Sequence, residues 1–236
     1  MKGIARKSLL VIVSSLLVGM ASAQEQVKVT FGADVISTYI WRGMKLGDAS
    51  LQPALGVEWK GLSLSAGGSI GLSNAQDAEE LDLTLKYTTG GLSFGIVDYW
   101  SDIPEERYFN YKSHETNHIF EGFIAYDFGL LSASWQTYFA GNEGVNKQGK
   151  RAYSSYAELQ APFRLAACEW QATLGVVPYA TTAYGTTGFA VTNVSLRVLK
   201  SLKITDHFSL PIFAQMVANP CLGNAHLIFG LTITAD

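Results

Sequence analysis

Alternation with a period of two, repeated along almost the whole chain, limits what this sequence can fold into. Leu81, Leu83, Leu85 and Tyr87 fall on one side of a strand and Asp82, Thr84 and Lys86 on the other, because successive side chains of a β-strand point to opposite faces. Segments of this kind lie near 27–42, 51–60, 62–72, 79–88, 92–100, 118–128, 131–140, 151–163, 168–178, 188–198, 207–216 and 225–234. Most are close to the roughly 9 to 11 residues that cross a bilayer at a tilt. Twelve such segments, an even number, close an antiparallel barrel with both ends of the chain on one side.

A soluble half-buried strand alternates too, so the polarity of the second face has to decide between a membrane barrel and a periplasmic sandwich. That face carries Ser63, Ser65, Gly67, Ser69, Asp82, Thr84, Lys86, Glu121, Ser132, Ser134, Gln136, Glu158, Gln160, Gln171, Thr173, Asn193, Ser195 and Arg197. Burying these without partners in a soluble core costs roughly 1–3 kcal/mol each. Facing a wet lumen costs nothing comparable. The fold class expected is therefore all-β, a transmembrane antiparallel up-and-down barrel of about 12 strands.

The connections follow the same plan. Short ones fall at Lys60-Gly61, Thr89-Gly90-Gly91, Gly129 and 164–167, and longer ones at 43–50, 73–78, 101–117, 141–150, 179–187 and 217–224. In this class of barrel the short turns are periplasmic and the long loops extracellular, which puts both termini in the periplasm. The connection 199–206 is long for its side; Thr205-Asp206 is the expected turn, with Leu199–Ile204 lengthening the strands. Aromatics form two girdles on the lipid face: Trp59, Tyr87, Tyr126, Phe128, Phe163 and Trp170 beside the short turns, and Tyr39, Trp41, Tyr99, Trp100, Phe139 and Tyr153 toward the long loops. Around Ile96–Tyr99 the alternation places Asp98 toward lipid, so a bulge that resets the phase is expected there.

Residues 1–23 read as a signal peptide. Lys2, Arg6 and Lys7 precede an apolar run from Leu9 to Met20 and the small-residue site Ala21-Ser22-Ala23. Residues 24–236 form one domain, since no Pro-rich, Ser-rich or charged linker divides them. Without the leader, 14 Lys and Arg stand against 20 Asp and Glu, a formal charge of −6. That balance argues against a nucleic-acid partner, which needs a basic stripe. The two cysteines are too few for a disulfide framework. Cys168 falls beside a short turn and Cys221 in the last long loop, so a membrane thickness of about 30 Å keeps them far beyond the roughly 7 Å that a disulfide spans.

The start of the expected barrel, Phe31-Gly32-Ala33-Asp34-Val35-Ile36-Ser37-Thr38-Tyr39-Ile40-Trp41-Arg42-Gly43, followed by Leu51-Gln52-Pro53-Ala54-Leu55 and Gly61-Leu62-Ser63-Leu64, resembles the TorF-like porins of Gram-negative bacteria. The shared element is a Ser-x-Tyr-x-x-Arg-Gly segment, here Ser37 to Gly43. The order around the proline differs, Leu-Gln-Pro-Ala in place of Pro-Ala-Leu-Gln, and the rest of the chain is similar to uncharacterised outer-membrane barrels of Bacteroidetes. The resemblance implies a barrel and a channel.

Enzymatic signatures are sparse. An outer-membrane phospholipase also has twelve strands, but it uses a His-Ser-Asn arrangement. His114, His118, His207 and His226 lack the His-x-Ser spacing of that family. His114 and His118 have the i, i+4 spacing that suits zinc on a helix, yet the segment reads as loop and strand entry, so no metal site is assigned. Function then falls to the polar face. The expected lumen-lining residues are Asp34, Arg42, Glu58, Asp82, Lys86, Glu121, Glu158 and Arg197, with Arg42 on strand 1 at the extracellular mouth. They either select solutes or brace the barrel as salt bridges. The longest loop, with Glu105, Glu106, Arg107 and Lys112, is a candidate constriction loop that either folds inward or covers the outer rim.

The function expected is a passive outer-membrane channel for small hydrophilic solutes in a Gram-negative bacterium, with no chemistry and no cofactor. Its partners are outer-membrane lipid, the solutes and the barrel-assembly machinery, for which Phe229 is the aromatic nearest the C-terminal end. The alternatives are a structural or surface-interaction barrel with a blocked lumen and, third, a lipid-modifying enzyme.

Overall fold

In the computed structural model, which describes residues 27–73, 79–102, 107–112, 115–206 and 208–235, the alternating segments close into one ring. The strands are β1 (Lys28–Ile36), β2 (Tyr39–Trp41), β3 (Met44–Gly47), β4 (Ser50–Trp59), β5 (Leu62–Gly71), β6 (Glu79–Thr89), β7 (Leu92–Asp102), β8 (His118–Asp127), β9 (Ser132–Gly141), β10 (Ser155–Leu165), β11 (Cys168–Val177), β12 (Ala190–Lys203), β13 (Ser209–Asn219) and β14 (Asn224–Ala235). Twelve of them form a closed antiparallel barrel in which each strand pairs with its neighbour in sequence and β1 closes on β14. The remaining two, β2 and β3, form a separate hairpin between β1 and β4. The signal peptide assigned to residues 1–23 lies outside the described residues.

The ring is inside-out relative to a soluble protein. Its exposed face carries Phe31, Leu64, Leu85, Ile124, Leu174, Leu227 and Phe229, and Leu64 is 60% exposed. Cross-strand register places Phe31 beside Leu55, Leu55 beside Ala66 and Ala66 beside Leu83, so apolar side chains run in rows around the outside. Such a band is stable against lipid and unfavourable in water by about 25 cal/mol per Å². No helix among the described residues is long and apolar enough to cross a membrane. The strands make the crossing, and a closed 12-strand barrel of this polarity fits an outer membrane.

Both ends of the described chain lie at the short-turn end: Lys28 is in register with Glu58, two residues before the Lys60-Gly61 turn. That turn has two positive φ angles, 50° and 81°, as a two-residue type I′ hairpin requires. The connection after β12 is shorter than its sequence span implied, because β12 and β13 stay paired out to Lys203 and Ser209 and Leu199–Lys203 lengthens the strand. Cys168 opens β11 at this end, and Cys221 sits in the turn after β13 at the other end; both thiols are free.

Four expectations are corrected. Strand 1 ends at Ile36 rather than running to Arg42, because Ser37 and Thr38 bend the chain away from the wall. No bulge resets β7: its pairing with β6 and β8 is continuous through Ile96, Val97, Asp98 and Tyr99. The register shifts are elsewhere, at Phe120/Glu121 and Gly175/Val176. As a result Asp98 stays on the outer face and Tyr99 turns inward. Tyr39, Trp41 and Tyr99 therefore leave the outer aromatic girdle for the lumen. Lastly, the connection between β13 and β14 is a tight turn, since Asn219 pairs directly with Asn224.

Candidate functional site

The hairpin β2–β3 is the centre of the lumen's architecture. Loop 1, residues 37–49, leaves the wall at Ser37, whose backbone N–H donates to the Phe229 carbonyl and whose hydroxyl accepts from the Phe229 N–H. Trp41 pairs with Met44, and between them Arg42 and Gly43 have φ of 50° and 83°, again the two positive angles of a type I′ turn. A side chain at Gly43 is impossible without displacement, because its Cβ would come within 1.8 Å of the Thr192 carbonyl oxygen. The tip therefore lies flush against β12, and the Asn219 amide donates to the Gly43 carbonyl at 3.3 Å.

At this tip the Arg42 guanidinium reaches across to β8. Its two terminal nitrogens donate to the two oxygens of Glu121, at 2.6 and 2.8 Å, and Nη1 also donates to the Tyr184 hydroxyl at 2.6 Å. Tyr99 donates to Glu121 at 3.0 Å. The guanidinium carbon lies 4.2 Å from the Trp41 ring centroid and 4.8 Å from that of Tyr156. Tyr184 stacks on Tyr138, Tyr156 and Trp41. It comes from loop 5, residues 178–189, where Thr181 caps a short 3₁₀ turn at Thr182–Tyr184. Two long loops thus meet inside the barrel around one cation.

A charged group this deep is tolerable only when paired. Burial alone favours the neutral guanidine, but the Tyr184 and Glu121 oxygens outweigh it and hold the Arg42 pKa well above its ordinary value. Tyr39, lower on the same hairpin, donates to Glu80 at 2.7 Å. Burial first, and the Glu80 carboxylate second, push its phenol far above the usual range.

The other sequence-assigned lumen residues are spread along the wall. Asp34 accepts from Thr232 at 2.6 Å. Asp82 stands in register with Gly67 and Tyr99, and one of its carboxylate oxygens is buried without a hydrogen-bond partner. Glu158 accepts from Tyr156 at 2.6 Å. Arg197 lies 3.7 Å over the Phe213 ring. Toward the short-turn end Lys28, Glu58, Ser63 and Lys86 follow one another in register on adjacent strands. The ion pair at the tip joins only Arg42 and Glu121; Tyr39, Glu80, Tyr99, Tyr138, Tyr156 and Tyr184 were missed. Strict alternation carried through Asp98 would have found Tyr99, whereas no sequence period marks Tyr184 in its loop.

The candidate constriction loop takes another course. Glu105 and Glu106 lie outside the described residues, Arg107 is exposed, and Lys112 pairs on the surface with Glu115 at 3.4 Å. The aromatic part of this loop, loop 3, packs on the outer face. Tyr108 contacts Trp100 and His118, and Tyr111 stacks on His118 at 4.4 Å. His118 is fully buried there, with Nδ1 2.7 Å from Asp98 and Nε2 2.6 Å from the Tyr108 carbonyl. Asp98 is thus shielded by a histidine partner and a covering loop.

No family model matches this chain, and no curated protein matches it. Among solved structures it is similar to the crystal structure of an outer membrane channel from Pseudomonas putida F1, at 14% identity and a TM-score of 0.41, over 91% of this chain and 98% of that one. A likeness of that degree transfers neither function nor residue roles.

Proposed function

We propose that this protein is a passive outer-membrane channel for small hydrophilic solutes, with both termini periplasmic and with the loop 1 hairpin as its constriction. The observation that carries this reading is the separateness of the hairpin. The wall is a complete twelve-strand ladder without it, and its tip is held by the Arg42 and Asn219 side-chain contacts. Behind it the lumen is lined by small residues, Gly32, Gly56, Gly67, Ser63 and Ser65, and by charges of both signs, a surface suited to hydrated solutes. The same tight packing also favours the second reading, a structural barrel with a blocked lumen.

Planar-bilayer recording of the refolded protein separates the two. A channel gives discrete conductance steps, and replacing residues 39–47 by a short Gly-Ser link raises each step several-fold. A scaffold blocked by the hairpin is silent in the intact form and conducts only once residues 39–47 are replaced. Orientation is tested by tags in intact cells: those at 146 or 183 are expected to bind added antibody, and those at 90, 129 or 166 are not.

A further inference from the structure

We infer that the lumen contains a binding site for small organic cations, guanidinium compounds above all, and that Arg42 occupies it as a tethered ligand. The inference rests on the channel reading for its physiological use, but the site itself follows from who supplies its walls. Of the groups around the guanidinium, only Trp41 belongs to the hairpin. Glu121 and Tyr99, Tyr138 and Tyr156 come from β7–β10, and Tyr184 comes from loop 5. If the tip withdraws, the Glu121 carboxylate, with Oε2 released and Oε1 still accepting from Tyr99, and a box of four phenol rings remain in place.

That combination is selective. A carboxylate alone accepts any cation, but two oxygens side by side match the planar fork of a guanidinium. Aromatic faces favour weakly hydrated organic cations over sodium or potassium, whose water must be stripped. The surroundings supply further acceptors: Glu80, Glu121 and Glu158 all lie in the hydrogen-bond network around the hairpin, with Arg42 as the guanidinium set among them. Asp82 keeps a buried carboxylate oxygen with no hydrogen-bond partner.

The same geometry makes Arg42 an autoinhibitor. An incoming guanidinium that displaces it breaks the bidentate pair and the Tyr184 contact and reforms equivalent bonds itself, so the net cost is that of lifting the tip from Asn219 and of unstacking Trp41. The solute needs only enough concentration to overcome the tether.

The experiment uses the full mature barrel refolded in detergent, with Arg42→Ala. Its thermal midpoint is read in millimolar guanidinium, methylguanidinium or L-arginine, against equal sodium chloride and equal urea. The expected result is recovery of at least half of the midpoint lost on substitution, in the guanidinium compounds alone, and no recovery in Arg42→Ala combined with Glu121→Ala. A response equal to that in sodium chloride overturns the site. Should Arg42→Ala not refold, the same compounds are added during refolding: return of the heat-modifiable folded band supports the site, and its absence overturns it. Conductance is measured separately. A barrel that binds guanidinium but passes no current removes the channel reading and keeps the site; one that conducts but ignores guanidinium does the reverse.

Discussion

Loops 1 and 3 are both rich in aromatic residues and both are fastened to β8, yet they end on opposite sides of the wall. Loop 1 is anchored by Arg42 on Glu121 and lies in the lumen. Loop 3 is anchored by the Tyr108 carbonyl and the Tyr111 ring on His118 and covers the outer face. His118 and Glu121 are three positions apart on one strand, an odd offset, so the pleat sends them to opposite faces. The chemistry differs accordingly. Inside, a fixed charge meets a carboxylate among polar side chains; outside, an Asp–His pair is wrapped in rings where the wall turns toward lipid. Whether a loop becomes a plug is set by the face of its anchor, not by its length.

The largest effect expected is at the inner anchor. Glu121→Ala leaves the Arg42 guanidinium buried without its carboxylate, a loss of about 3–5 kcal/mol for a broken buried pair, and frees the hairpin tip. Chemical unfolding of the refolded barrel should register that loss, and bilayer recording should show larger and noisier conductance steps. Wild-type stability with wild-type conductance would mean that Glu121 does not hold loop 1.

The outer anchor comes next. His118→Ala strips Asp98 and the Tyr108 carbonyl of their partner, which costs roughly 1–3 kcal/mol. Loop 3 should then become a preferred site of proteolytic cleavage in intact cells while conductance and ion selectivity stay as in the wild type. A changed conductance would show that loop 3 reaches the pore and would break the contrast between the two loops.

Gly43→Ala tests the plug by shape alone. An alanine at φ of 83° costs roughly 1–2 kcal/mol in a left-handed conformation, and its methyl group cannot coexist with the Thr192 carbonyl. The tip has to lift from β12, so the expected outcome is a modest fall in stability with a rise in conductance smaller than that of Glu121→Ala. An unchanged pore would place the tip elsewhere in solution.

The barrel was legible because it depends on a period, and the plug was not because it depends on a break in that period. Twelve alternating runs specify twelve strands whatever their exact ends. The first run, however, alternates smoothly through Ser37 and Thr38 into Tyr39 and Trp41, and nothing in apolar-polar spacing says that the chain turns inward there. The usable signal was Arg42-Gly43, which matches the Lys60-Gly61 turn in residue type and in both φ angles. Asp98 misled in the opposite way. A charged residue on a lipid face suggests a bulge, whereas the chain keeps its register and supplies His118 and loop 3 instead. Side chains that find partners across the barrel, such as Arg42 with Glu121 or Tyr39 with Glu80, are separated by tens of residues and leave no local trace.

The smallest effect expected concerns Tyr39, the second fastening of the inner loop. Its phenol donates to Glu80 in the folded barrel and is held far above its ordinary pKa by burial and by that carboxylate. In the unfolded chain it ionises near pH 10. A folded pKa above the unfolded one contributes stability that is fully present below about pH 10 and is lost as pH rises further, because the unfolded state then gains the free energy of ionisation. Tyr39→Phe removes one such group. At neutral pH the variant should lose about 1 kcal/mol, the net worth of one hydrogen bond, while between about pH 10 and 11.5 the wild type should fall more steeply, by up to about 1.4 kcal/mol per pH unit. Denaturant midpoints taken across that range give the two slopes. Parallel lines would mean that Tyr39 is solvated and free of Glu80, and that loop 1 is fastened at its tip alone.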